Sequence, residues 1–128
     1  MTGEAPNEFE EWLASDFGER GSFTALVVLV GIGETAVTPL CSTYLNVIGP
    51  EVEWGDIVTM FAGSGQQWDG AAFFPRQDPN GMPLTNPAAR VLLRELETRL
   101  DEDRLVLNEG HFFDRWGRRM RIDEVPVS

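Results

Sequence analysis

A chain of 128 residues is long enough for one domain with one sizeable core, and its 42% apolar content is that of a folded chain and not a disordered one. The formal charge of -11 is lopsided: residues 1–75 carry eleven carboxylates against Arg20 alone, whereas residues 76–128 carry ten against nine arginines, with no lysine anywhere. Such a field repels phosphate backbones and favours cationic protein surfaces, so nucleic acid is disfavoured as a partner and a basic protein is favoured.

Asn7 is placed to cap a first helix, with Glu8, Glu10 and Glu11 in its first turn, Phe9, Trp12, Leu13 and Phe17 on one face, and Gly18 and Gly21 to end it. Phe23 to Ile32 is apolar without alternation, which predicts a strand covered on both faces and central in its sheet. Thr38 and Pro39 read as a cap and first turn, and Leu40, Tyr44, Leu45, Val47 and Ile48 then predict a second helix closed by Gly49 and Pro50. Trp54, Ile57, Val58 and Phe61 recur at helical spacing before the exit at Gly63, Ser64 and Gly65.

Gln66 to Phe74 predicts a strand bent at Asp69 and Gly70 and stopped by Pro75. The stretch 76–86 is rich in turn residues and is expected to be a mobile loop inside one domain. Asn86 and Pro87 open the longest helix, running to about Asp103, with Leu92, Leu93, Leu96 and Leu100 inward and Glu95 and Arg99 as an outward pair. His111 to Arg115 and Arg118 to Asp123 read as two strands turning near Trp116 and Gly117. The sum is an α+β fold, a single globular domain over 1–128. Its mostly antiparallel sheet has about four strands, near 23–32, 67–74, 110–115 and 118–123, packed against about four helices and ending in a C-terminal β-hairpin.

One cysteine, Cys41, cannot close an internal disulfide, and placed in an apolar helix it reads as a buried inert thiol; a reducing, cytoplasmic setting is expected. The longest apolar run, from Ala25 to Gly33, falls far short of the roughly 20 residues a membrane helix needs, so neither secretion nor a membrane partner is expected. Exclusive use of arginine would fit bidentate carboxylate or phosphate recognition, but genomic base composition is the favoured reading.

Three segments carry candidate chemistry. Gly31, Gly33 and Glu34, with Ala36, match a dinucleotide fingerprint after a strand. The motif works only if a helix starts at once; here Pro39 removes a donor from the helix start, and two glycines closing a buried strand is the favoured reading. His111 is the one histidine, and as a general base it would pair with Glu109 or Asp114; no nucleophile can be assigned to it. No cofactor and no metal site is expected, since one histidine among scattered carboxylates has no transition-metal spacing and the acidic stretches do not reproduce a calcium loop.

The third segment, Asp114 to Arg121, sets four arginines around Trp116. The preferred reading is a turn in which Asp114 bonds amides, Gly117 takes a positive φ, Trp116 covers a core edge and the arginines pair with the acidic half. Trp116, Arg118, Phe112 and Phe113 are the candidate partner-binding residues. Neighbouring phenylalanines on a strand point to opposite faces, so one of each pair needs cover from a helix or a second subunit. The expected function is a non-enzymatic protein-binding or regulatory module, inhibitor-like or adaptor-like, engaging a basic partner. The alternatives are a small-molecule or nucleotide-binding protein or enzyme centred on Gly31 and Gly33 or on His111, and a homo-oligomeric scaffold that binds itself.

Overall fold

The computed structural model describes residues 7–34, 36–49 and 51–121. Along the chain lie α1 (Glu8–Arg20), β1 (Phe23–Ile32), β2 (Val37–Val47), α2 (Trp54–Ala62), β3 (Gly70–Arg76), α3 (Asn86–Glu102), a 3₁₀ helix (Arg104–Glu109) and β4 (His111–Asp114). The four strands form one antiparallel sheet in the order β2-β1-β3-β4. The result is a mixed α+β chain with helices on both sides of the sheet.

That arrangement follows from β1, which is inner and apolar on both faces. Its Phe23, Ala25, Val27 and Leu29 join Phe9, Trp12 and Leu13 of α1 and Trp54, Ile57 and Phe61 of α2 in one core. Leu26, Val28 and Val30 join Leu96 and Leu100 of α3 and Val106 and Leu107 of the 3₁₀ helix in the other. Period-two alternation sorts the remaining strands the same way. Phe73 and Phe113 face α1 and α2, whereas Phe74 and Phe112 face α3. Each buried side chain of this size contributes about 1.5–3 kcal/mol by leaving water.

The helix expected from Thr38 to Ile48 is instead β2, paired with β1 from Phe23↔Val47 to Ile32↔Val37 with an irregularity at Leu29 and Val30. Leu40, Tyr44 and Val47 fit helical spacing, but Val37, Thr38, Thr43 and Val47 are β-branched, and the open edge of β1 decides between the two. Pro39, read as a helix start, is tolerated because β2 is an edge strand. Pro75 does not stop β3 either. It pairs with Ala25, past the end of β4, whose ladder with β3 closes at Phe73↔His111. The strand begins at Gly70, where a Cβ would meet Phe112 and Met120 at 2.9 Å. Asp69 completes this end: its N–H donates to Val30 O, and its Oδ2 accepts from Ile32 N at 2.7 Å.

α1 starts at the expected cap. Asn7 Oδ1 accepts from Glu10 N and Glu10 Oε1 accepts from Asn7 N, a reciprocal pair, and Gly21 ends the helix at φ 76°. α3 is capped by Thr85, one residue earlier than expected, and its Arg99 bonds both oxygens of Glu109 instead of pairing with Glu95. Between Arg76 and Asn86, Asp78 Oδ1 accepts from Asn80 N and Met82 N, and Gln77 Nε2 faces the carbonyls of Arg20, Ser22 and Gly81. Beyond β4 a turn brings Arg119 into a single bridge with Phe113; residues 122 and 123 of the expected last strand lie outside the described residues.

Thr24 is fully buried, and its hydroxyl accepts from Leu84 N at 2.8 Å while donating to Asn46 Oδ1 at 2.7 Å. Thr24→Val keeps the shape but leaves the Leu84 amide unpaired. Chemical denaturation is expected to show a loss of about 1–3 kcal/mol, the cost of a buried unsatisfied group.

Candidate functional site

The sequence places Glu10, Trp54 and Trp116 far apart, and the fold brings their backbones together at one corner. Glu10, besides closing the α1 cap, accepts from Trp54 N at 2.8 Å through Oε2, so a single carboxylate ties the first turns of α1 and α2. The turn after β4 seals the same corner. Trp54 Nε1 donates to Arg115 O at 2.8 Å, Asn7 Nδ2 to Trp116 O at 3.3 Å, and Phe9 N to Gly117 O at 3.0 Å. Phe9 beneath it touches Trp54, Phe73, Phe113 and Trp12 with ring centroids 4.7, 4.9, 5.4 and 5.7 Å away.

The turn itself is built by Asp114. Its Oδ1 accepts from Trp116 N and Arg118 N, its Oδ2 accepts from Arg118 Nε at 2.8 Å, and Gly117 supplies the positive φ of 76°. Any side chain at 117 would also strike the amide group of Asn7. Trp116 does not cover a core edge as expected. It stands 64% exposed, with the Arg118 guanidinium 5.0 Å from its ring centroid. Of the four partner-binding candidates, Trp116 and Arg118 reach solvent, whereas Phe112 and Phe113 are buried in the two cores.

Around this turn lie two shallow grooves. One, of about 520 Å³, is lined by Val58, Ala62, Gln66, Trp68, Arg115 and Trp116. The other, of about 360 Å³, is lined by Glu8, Glu11, Trp12, Ser15 and Arg119. Glu8, Glu11, Glu19, Glu51, Glu53 and Asp56 are all exposed, and none forms an ion pair among the described residues. Arg20, the one cation of the first half, is taken by Asp16 at 2.8 Å. Arg118 and Arg119 do not pair with these acids among the described residues: Arg118 bonds Asp114, and Arg119 lies against His111 and over the Phe113 ring.

His111 is half-buried beneath α1, stacked on Trp12 with ring centroids 4.5 Å apart, and its Nδ1 lies 3.2 Å from Arg119 Nη1. Neither expected carboxylate orients it, because Glu109 binds Arg99 and Asp114 holds the turn. Burial, then repulsion from Arg119, lowers its pKa, with Asp16 opposing and Arg20 adding a smaller push. No hydroxyl or thiol hydrogen-bonds it among the described residues. Cys41 lies on β2, not a helix, and is half-buried, with burial raising its pKa. Gly31 lies in the last turn-side residues of β1, paired with Thr38, and Gly33 N donates to Ala36 O in the turn to β2, so a strand, not a helix, follows the glycines and Glu34. Among the described residues no group of three or more His, Cys, Asp or Glu could hold a metal, and no helix is long and apolar enough to cross a membrane.

Family models, curated proteins and solved structures were compared with this chain, and none matched. The exposed Trp116 and the Glu10 link carry no sequence signal, since one depends on which way a turn faces and the other on a contact 44 residues away.

The lowered pKa of His111 has a signed consequence. The folded chain binds its proton less tightly than the unfolded chain does, so stability is full above the ordinary value of 6.5 and drains as the pH falls through it. The wild-type chain is expected to lose stability as the pH falls below about 6.5, and His111→Gln to flatten that slope. Thermal unfolding across this window, with the His111 ring followed by NMR titration, checks both.

Proposed function

We propose that this chain is a non-enzymatic protein-binding module whose α1 and α2 face engages a cationic protein surface, with Trp116 as the anchor. The observation that carries the reading is the placement of Glu8, Glu11, Glu19, Glu51, Glu53 and Asp56. These exposed acids, unpaired among the described residues, belong to the two helices, and their flanks, that pack on the same side of the sheet. A division along the sequence thereby becomes a division in space, broken only where the turn sets Arg115 and Arg119 beside this face. On the opposite side, α3 and the 3₁₀ helix mix Arg90, Arg94, Arg99 and Arg104 with their acids.

In this reading the acidic face sets encounter rate and selectivity, because unpaired surface carboxylates act at a distance and weaken with salt. Affinity comes from Trp116, an exposed tryptophan on a hydrogen-bonded turn beside a groove of mixed polar and apolar lining, the residue type that most often dominates an interface. Arg118, paired with Asp114 and stacked on Trp116, fixes the ring's approach. The last residues are proposed to complete the C-terminal hairpin that the Phe113 and Arg119 bridge begins. The same field disfavours nucleic acid, and one free cysteine suits a reducing cytoplasm.

Binding of an arginine- and lysine-rich peptide at low ionic strength, followed by titration calorimetry, tests the proposal. Trp116→Ala is expected to weaken it about ten- to hundredfold. The triple change Glu8→Gln, Glu11→Gln and Asp56→Asn should weaken it more than Glu95→Gln, Asp101→Asn and Glu102→Gln on α3. Equal losses from the two triples, or no binding at low salt, would sink the idea.

A further inference from the structure

The two edges of the sheet are treated differently. Along β4, Asp114 N donates to Arg118 O and Met120 N to Phe112 O, so the following chain occupies that edge. Along β2 no element pairs among the described residues, although at 11 residues it is the longest strand. Edge strands are normally blunted by charge, yet residues 36–49 contain no charged side chain. At the chain's 24% charged content about three would be expected there. Pro39 and the irregularity at Leu29 and Val30 protect only one half of the strand.

Hydrogen-bond parity identifies the groups left over. Val30 O and Ile32 N are used by Asp69 on the β3 side, and Gly33 N reaches Ala36 on the β2 side. Even-numbered residues of β1 therefore face β3 and odd-numbered ones face β2. Through the register, Cys41, Thr43, Leu45 and Val47 bond to β1, which leaves the amides and carbonyls of Ser42, Tyr44 and Asn46 directed outward.

We propose that β2 pairs with β2 of a second copy of this chain, antiparallel about a two-fold axis normal to the sheet and centred on Tyr44. Ser42 then bonds Asn46 of the second copy and Tyr44 bonds its own equivalent. The same register sets Pro39 opposite Gly49, past the end of the partner's strand, where no donor is needed. Centring on Ser42 would instead set the irregular Leu40 against Tyr44. A second copy is the occupant because β2 itself brings no charged side chain to the pairing, and the carboxylate that meets it, Glu97 of α3, is held by the Ser42 hydroxyl, so for two molecules of charge -11 this is the strand along which the paired residues set no like charges opposite each other. This surface is separate from the α1 and α2 face, and the proposal stands or falls independently of it.

Light scattering coupled to gel filtration is expected to give twice the 14.3 kDa chain mass, falling toward 14.3 kDa on dilution. Ser42→Pro removes the outward N–H together with the hydroxyl bond to Glu97 and should yield a folded monomer; Ser42→Ala, which loses the same bond to Glu97 but keeps the amide, should still pair and so isolates the effect of the N–H. Thr43→Glu changes an exposed side chain, brings like charges together across the axis and should also be monomeric. In hydrogen exchange, the amides of Ser42, Tyr44 and Asn46 should be protected only in the concentrated sample. A mass of 14.3 kDa for the wild type at every concentration up to about 1 mM overturns the proposal. So does a doubled mass that survives in both Ser42→Pro and Thr43→Glu, or protection of these amides in the monomer.

Discussion

β1 runs for ten residues without a polar side, and its first eight residues are all buried. Such a strand is stable only if apolar layers cover both of its faces and other strands satisfy both of its edges, since an unpaired buried backbone group costs as much as a lost hydrogen bond. The remaining architecture answers those two demands. α1 and α2 cover one face and α3 with the 3₁₀ helix the other; β3 takes one edge and β2 the other. Even the phenylalanine pairs of β3 and β4 are divided between the two cores by the same alternation.

This explains which parts could be read from the sequence. β1 shows itself through the absence of alternation, α1 through Asn7 and its reciprocal Glu10, and the Phe112 and Phe113 pair through the need to cover two faces, which α3 and α1 meet without a second subunit. β2 could not be read, because Leu40, Tyr44 and Val47 satisfy helical and extended patterns alike, and the deciding interaction is the edge of β1 up to 24 residues earlier in the register. Pro39 and Pro75 misled for a related reason. Proline is excluded from a strand only where its missing donor is needed, and both stand where a neighbouring strand is absent.

The candidate corner was half legible. Asp114 as a turn builder and Gly117 in a left-handed conformation follow from local chemistry, since both roles are set within five residues. Whether Trp116 faces in or out is set by its distant neighbours. The interior below the turn is already filled by Phe9, Trp54 and Phe113, and the turn carbonyls are spent on Asn7, Phe9 and Trp54, so the indole has no place left but outside. The charge asymmetry was legible in amount but not in layout. Its spatial concentration arises because α1 and α2 cover the same face of the sheet.

These two surfaces are related by geometry. A two-fold axis normal to a sheet returns each face to the same side, so a pair joined through β2 would carry both α1 and α2 layers on one side of a continuous eight-stranded sheet. The acids would then be doubled on one face without being forced against each other, because the strip between them is uncharged. A cationic partner long enough to span both Trp116 turns would meet the second site at an effective concentration set by the dimer and not by the solution, raising avidity without any new contact. A partner too short to span them would gain nothing. The length of the basic partner, more than its charge, is therefore what a paired form of this chain would select.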